Sequence, residues 1–347
     1  MENGEIMKSP KVDVLILHMN GEQIIKNCLE SLKKIDYNNY QIHLLLNSTT
    51  DKSESIAKKY KVKIYKSKDN IGFAEGNNFL IKKTTGKYCV MLNNDTEVDK
   101  NWLKEMVKCS EKHNADIIQP KILALRDKKM FEYAGGAGGY VDKYIIPFCR
   151  GRIFNNLEKD IGQYDHEARL FWACGSCMMI RRDLINKIGS LDKNMFMYSE
   201  ELDFCWRTNL SGGKIIFCPK SKVYHLGSYT IKKEKMNRQK EFLIHRNHFY
   251  TFLKNYSSGS IIKRIMPLLC LEIGAGIIEP RRTIAIWKAF FWILANINLI
   301  KRKRKEIKKL RKLQDNEIFG IYPKNIIIQH YILRKNKFND LKWQPNP

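Results

Sequence analysis

Between residues 11 and 113, short apolar runs alternate with segments of helical period, and the runs end on polar residues. That alternation restricts the fold more than any other feature. Residues 11 to 20 read Lys-Val-Asp-Val-Leu-Ile-Leu-His-Met-Asn, which suits a buried parallel strand. Ile24, Ile25, Cys28, Leu29 and Leu32 follow at helical spacing, and Ile42 to Leu46 gives a second strand ending at Asn47. A helix over 51 to 60, a strand over 62 to 65, a helix over 77 to 83 and a strand over 87 to 92 lead to Asn93-Asn94-Asp95, and 102 to 113 is helical again. This order predicts an α/β fold with an open, largely parallel sheet, helices on both faces, and ligands bound at the carboxyl ends of the strands. The polar ends at Asn20, Asn47 and Asp95 are therefore expected to share one cleft.

Beyond residue 113 the pattern loosens. Ala134 to Gly139 is glycine-rich, but a dinucleotide loop must sit between the first strand and a helix, so these glycines read as a turn. Residues 134 to 168 are expected to be an irregular insertion. Arg169 to Ile180 reads as a central strand, 183 to 188 as a short helix, and 197 to 207 as an acid-rich helix start. A strand over 214 to 218 and the run Val223-Tyr224-His225 bring the catalytic part to a close near Thr230. Cys174-Gly175-Ser176-Cys177 has redox-motif spacing, yet no second cysteine pair accompanies it, and a buried strand is the better reading. Nine cysteines without framework spacing, and a first ten residues without an apolar secretory stretch, predict reducing cytosol.

The formal charge of +26 is uneven: residues 231 to 347 hold 26 Lys and Arg against 8 acids. Such a tail can meet nucleic-acid phosphates or anionic headgroups, and its apolar content decides between them. Thr283 to Ile300 is the nearest approach to a spanning helix, but it is short and carries Lys288. Lys301 to Lys312 then packs nine basic residues and one acid beside Trp287, Phe290, Phe291 and Trp292. The expectation is a helical, basic region lying on the cytoplasmic leaflet, an anionic membrane surface, with no nucleic acid as partner.

Asp95 at a strand end is a natural hard-oxygen ligand for a divalent cation, although Asn94-Asp95 alone reads equally as a turn. Glu200, Glu201 and Asp203 crowd one helix start, where the dipole favours acids whatever their function. His225 can ligate through a neutral ring nitrogen or pack at a strand end. Trp172 can stack on a ligand or fill the core.

Six segments, taken together and in order over residues 11 to 230, resemble the family 2 glycosyltransferases, especially the rhamnosyltransferase-like branch. They are Leu17-His18-Met19-Asn20, Asn70 to Asn78, Leu92-Asn93-Asn94-Asp95-Thr96, Trp172 to Arg182, Gly189 to Trp206, and Pro219 to Thr230 with its Tyr-His-x-Gly. The resemblance implies the GT-A fold, a Rossmann-like open mixed sheet flanked by helices, here with a C-terminal helical basic tail. It implies a catalytic domain over 1–230 and a membrane-associating region over 231–347. Asn93-Asn94-Asp95 falls on the family's Asp-x-Asp position, so Asp95 and His225 become metal ligands for Mn²⁺ or Mg²⁺. Glu201 falls on the catalytic base. Asn20, Asn47, Asn70, Gly72, Phe73, Asn78, Asn93 and Asn94 fall to the donor site, and Trp172, Glu200 and Asp203 to the acceptor side.

The implied activity is inverting transfer of a rhamnose-like or other hexose from a nucleotide-diphosphate sugar, dTDP- or UDP-linked, to a saccharide or lipid-linked saccharide in surface polysaccharide synthesis. Three positions depart from the family: Asn93 and Leu46 replace acids, and Glu201 replaces the usual Asp. The first two motivate an alternative, a catalytically inactive, membrane-associated scaffold or nucleotide-sugar-binding protein of the same fold.

Overall fold

The computed structural model describes residues 9–227 and 238–345. The expected domain limit at residue 230 lies outside them, as does the end of the Pro219 to Thr230 segment. The first half follows the anticipated alternation: β1 (Val12–His18), α1 (Glu22–Leu32), β2 (Tyr40–Asn47), α2 (Ser53–Ala57), β3 (Val62–Ser67), α3 (Gly72–Lys82) and β4 (Tyr88–Asn93). β5 (Thr96–Val98), α4 (Trp102–His113) and β6 (Ile117–Ala124) follow. Later come β11 (Ala168–Arg169), β12 (Cys177–Arg181), α5 (Arg182–Ile188), α6 (Glu200–Leu210) and β13 (Ile215–His225).

Strands β3, β2, β1 and β4 pair in parallel, which explains their continuous apolar runs: Val12, Val14, Leu15 and Ile16 are fully buried, with helices on both faces. β12 enters antiparallel between β4 and β6, β13 runs parallel to β6, and β5 and β11 pair antiparallel with β13. The sheet is mixed. Register sets Leu17 against Asn93 and His18 against Leu46, so the polar ends of β1, β2 and β4 share one edge as expected.

Two readings need correction. The 169 to 180 segment is two short strands, because Leu170 to Ser176 is a buried turn held by Gln119 Oε1 accepting from Cys174 N at 2.9 Å. The insertion is not irregular. It forms a second sheet of β7 (Gly139–Asp142), β8 (Pro147–Cys149), β9 (Arg152–Ile153) and β10 (Asn156–Leu157), completed by β14 (Ile321–Tyr322) from the tail. Strands of two to four residues show no period. Their stability comes from aromatic packing, with Tyr140 and Phe148 against Tyr322, Phe338 and Trp343.

The tail supplies α7 (Arg238–Asn255), α8 (Ser258–Ile278), α9 (Pro280–Ala295) and α10 (Ile297–Leu310). α7 is fastened to α6 by buried charge: Lys254 Nζ lies 2.7 Å from Asp192 and 2.9 Å from Asp203, and Arg207 completes the pairing of Asp203. No single helix among the described residues is long and apolar enough to cross a membrane. The 283 to 300 candidate is broken at Asn296, where α9 and α10 meet at a 71° bend.

Candidate active site

The shared strand edge carries a connected set of polar side chains. Asn47 Nδ2 donates to Asn70 Oδ1 at 2.9 Å, Asn47 Oδ1 accepts from Ile71 N, and Asn70 Oδ1 accepts from Gly72 N. These bonds shape the turn that opens α3. Gly72 has φ +78°, and a Cβ there would come within 2.6 Å of the Phe196 carbonyl oxygen, so this position requires glycine. Phe73 N and Ala74 N both donate to that same carbonyl.

Phe196 belongs to a strained segment. Phe196, Tyr198 and Ser199 have φ of 64°, 72° and 65°, at about 1 to 3 kcal/mol each. The strain is held by Asn247 of α7, whose Nδ2 donates to the carbonyls of Met195, Met197 and Tyr198 at 3.0, 2.9 and 2.6 Å. α6 starts immediately after, with Glu200, Glu201 and Asp203 in its first turn. Asn247 thus ties the tail to the helix start.

The three acids differ sharply. Asp203 is fully buried and engaged by Arg207, Lys254 and Asn255, which hold its carboxyl low despite burial. It is turned away from the expected acceptor role. Glu200 is buried with one carboxylate oxygen lacking a partner, and burial, then the neighbouring Glu201 charge, push its pKa well above the usual range. Glu201 is half-buried and raised by burial, but backbone N–H groups at the helix start oppose the shift. The two lie side by side at one helix start, Glu200 buried and Glu201 half-buried toward Gly175. A Cβ at Gly175 would touch both the Phe73 ring, at 3.4 Å, and Glu201 Cβ, at 3.7 Å. Gly175 thus links the donor turn to Glu201.

On the other side, pairing of β5 with β13 sets His225 opposite Thr96, beside Asp95. His225 Nε2 lies 3.0 Å from Asp95 Oδ1 and 3.5 Å from Asn93 Nδ2. Its Nδ1 is 3.2 Å from Glu132 Oε2, an ionic contact rather than an aligned hydrogen bond. Burial disfavours the imidazolium, but the Asp95 and Glu132 carboxylates raise its pKa to about 10. Gly227, at φ +60°, completes the Tyr-His-x-Gly segment. A Cβ there would meet Glu132 Oε1 at 2.4 Å, so the glycine leaves room for that acid. Asn94 Nδ2 donates to His18 Nδ1 at 2.7 Å, and His18 Nε2 bonds Ser53 at 2.8 Å; burial lowers the His18 pKa to about 4 and keeps it neutral.

Asn20 is exposed and braces Thr50 through both amide atoms. Two further expected contacts are turned elsewhere. Asn78 spends its amide on the backbone of Leu191, donating and accepting at 2.9 and 3.0 Å. Trp172 is buried, donates to the Tyr140 carbonyl at 3.0 Å and packs on Gly139, so its faces belong to the core. Glu132 and Asn247 are supports outside every motif segment, whereas His18 and Phe196 lie within the Leu17 to Asn20 and Gly189 to Trp206 segments, whose spacing assigns them no role.

A cavity of about 470 Å³ lies elsewhere, beside Cys109 and Cys218. There Cys109, His113 and Glu167 form the one compact His, Cys and acid triple among the described residues, but Lys112 and His113 already pair with Glu167.

Known proteins fit this arrangement. Residues 13–189 match the family model described as glycosyl transferase family 2. The low-salt glycan biosynthesis hexosyltransferase Agl10 of Haloferax volcanii is 24% identical over 277 residues, covering 74% of this chain and 84% of that one. The rhamnosyltransferase WbbL of Escherichia coli K12 is 23% identical over 249 residues, covering 70% and 92%. Among solved structures, GalNAc-T7 with UDP, GalNAc and Mn²⁺ aligns with a TM-score of 0.58 at 17% identity, over 73% of this chain but only 49% of that one. The mannosyltransferase PcManGT of Pyrobaculum calidifontis, in complex with GDP-Man and Mn²⁺, gives 0.52 at 12% identity over 88% and 86%. The fold is GT-A. Because the matched span runs from β1 through α5 and takes in more than half of the chain, this chain belongs to the family 2 glycosyltransferases.

Proposed function

We propose that this glycosyltransferase inverts the anomeric centre as it moves a rhamnose-like or other hexose from a dTDP- or UDP-linked donor to a saccharide, most suitably a lipid-linked one, in surface polysaccharide synthesis. The carrying observation is the placement of Glu201, half-buried at the start of α6 and separated from the Phe73 ring of the donor turn only by Gly175.

Asn47, Asn70 and Gly72 hold the donor turn, and the half-buried Phe73, Asn93 and Asn94 present ring and amide surface toward the same edge. Glu201 accepts the proton of an acceptor hydroxyl. The freed oxygen bonds to C1, the bond from C1 to the diphosphate oxygen breaks, and the electron pair leaves with the diphosphate. Glu200 sits buried beside it, its carboxyl pushed up by burial.

Asp95 and His225 also fit a hard divalent cation: one carboxylate and one imidazole meet, with the remaining positions left for phosphate oxygens and water. They would hold Mn²⁺ or Mg²⁺, which when bound supplies positive charge to the departing diphosphate. Glu132 stands behind the His225 ring, its Oε2 3.2 Å from Nδ1, and helps to hold the ring in place. Replacing Glu132 with Gln is expected to weaken Mn²⁺ binding about 10- to 100-fold by calorimetric titration. Unchanged affinity would remove Glu132 from the site.

The same reading puts the catalytic part within residues 1–230 and lets 231–347 rest on the inner face of the cell membrane. α9 exposes Trp287 and Phe291, while α10 buries Ile300 and Ile307 and exposes Lys301, Arg302, Lys305, Lys308 and Lys309. Apolar and basic faces at a 71° bend suit a leaflet surface. Proton NMR of the product formed from a donor of known configuration tests the stereochemistry: inversion is expected, and retention contradicts a mechanism with Glu201 as its base.

A further inference from the structure

Outside the transfer cleft, one cluster brings together ligands of a different chemical kind. Cys109 and His113 stand four residues apart at the end of α4, so one helix face carries both. β11 pairs antiparallel with β13, Ala168 opposite Phe217, and continuing that register sets Glu167 opposite Cys218. α4 packs on β13, so the four residues meet beside the cavity of about 470 Å³. One ligand atom each from Cys109, His113 and Glu167 lies within 4.8 Å of the other two. The Cys109 and Cys218 thiols, both buried and free, interact with each other.

The donor set selects the guest. Around a tetrahedral zinc ion, with bonds of about 2.0 Å to nitrogen or oxygen and about 2.3 Å to sulfur, ligand atoms stand roughly 3.3 to 3.8 Å apart. His113 and Glu167 are partly exposed and can close that distance by side-chain rotation. Thiolate ligands favour zinc over the hard Mg²⁺ or Mn²⁺ of the transfer cleft. Two thiolates and a carboxylate carry one negative charge more than Zn²⁺ neutralises, and Lys108, Lys112 and Lys220 around the cavity offset it. The carbonyl end of α4, at His113, also favours a cation. The bonds already present are weak ones: the Lys112 pair with Glu167 has an exposed lysine, and the S–H bond from Cys218 to the Glu105 carbonyl, at 3.5 Å, ends when the thiol ionises.

We propose that Cys109, His113, Glu167 and Cys218 form a structural Zn²⁺ site, separate from the cation at Asp95 and His225. The ion fastens α4 to β11 and β13 just ahead of the register shift between Cys218 and Lys222, beyond which β13 runs on to His225. It is a staple at the root of the strand that carries His225.

The test uses the full chain, reduced, stripped of metal with EDTA and then dialysed against Zn²⁺ or Co²⁺. Elemental analysis should find zinc retained, and Co²⁺ should give a thiolate-to-cobalt charge-transfer band with the d–d bands of a tetrahedral site. Cys109→Ser and Cys218→Ser should each lower the charge-transfer band and weaken Zn²⁺ affinity, read by competition with a chromophoric chelator, by about 100-fold or more, since even outer partners of a metal ligand can reach that size. Cys270→Ser, at an exposed thiol on α8, should behave as wild type. An ion that binds only the folded chain raises Tm, so Zn²⁺ should raise it in wild type and not in the two site variants. Metal-free thermal unfolding matched to wild type verifies that the variants fold. Asp95→Ala should keep the charge-transfer band, which separates this site from the transfer cleft and needs no turnover. Absence of the band, an unchanged band in either site variant, an equal loss in Cys270→Ser, or a Cys109–Cys218 disulfide in place of metal in the reduced chain overturns the proposal.

Discussion

Glu201→Gln is expected to lower transfer by about 10²- to 10⁴-fold with little change in donor binding, since general-base catalysis contributes a factor of that size. The substitution keeps shape and removes the proton acceptor. Steady-state kinetics with the donor varied at saturating acceptor checks it: kcat falls and the donor KM holds. Burial raises Glu201 from its ordinary value of 4.5, so in wild type the acid limb of the pH profile should lie above that value. The sign follows from the required form. Activity is present when Glu201 is ionised and is lost as pH falls through its raised pKa. Glu200→Gln, by contrast, leaves the proposed base in place and should keep substantial turnover.

Asp95→Ala should be nearly as severe, for a different reason. It removes the carboxylate that meets His225 at 3.0 Å, and with it one of the two ligands proposed to hold a cation that would balance the leaving diphosphate. Losing several kcal/mol of charge stabilisation predicts a fall on the order of 10³-fold or more. Excess Mn²⁺ should restore little. His225→Ala in the same background should add little further, because two ligands of one ion act as a unit. Asn93→Ala is expected to be milder, since its amide stands 3.5 Å from the imidazole and contributes no charge. An Asp95→Ala variant that keeps both Mn²⁺ affinity and turnover would place the cation elsewhere.

The parts of this fold legible in the sequence are those governed by local period. β1 to β4 and their helices announce themselves because strands buried on both faces must be continuously apolar, and Asn47 and Asp95 are visible where those runs stop. Asp95 and His225 were paired only through family resemblance, being 130 residues apart; the antiparallel pairing of β5 with β13 closes that gap. Glu132 had no local signal. It reaches His225 from a segment whose only regularity is tertiary, and its trace in the sequence is Gly227, whose lack of a Cβ makes the room. Asn78, Trp172 and Asp203 were over-read for the converse reason: polar or aromatic residues beside functional ones also serve as struts. The small second sheet was invisible because its strands are shorter than any period and borrow one strand from residues 321–322.

The most direct test of the cleft is nucleotide release from a panel of dTDP-, UDP- and GDP-sugars, with and without Mn²⁺, by wild type and Glu201→Gln in parallel. Metal-dependent release from one donor class that rises when an acceptor is added, and that Glu201→Gln abolishes, is the predicted result. Acceptor-dependent transfer that Glu201→Gln leaves intact would contradict the assignment of Glu201 as the base.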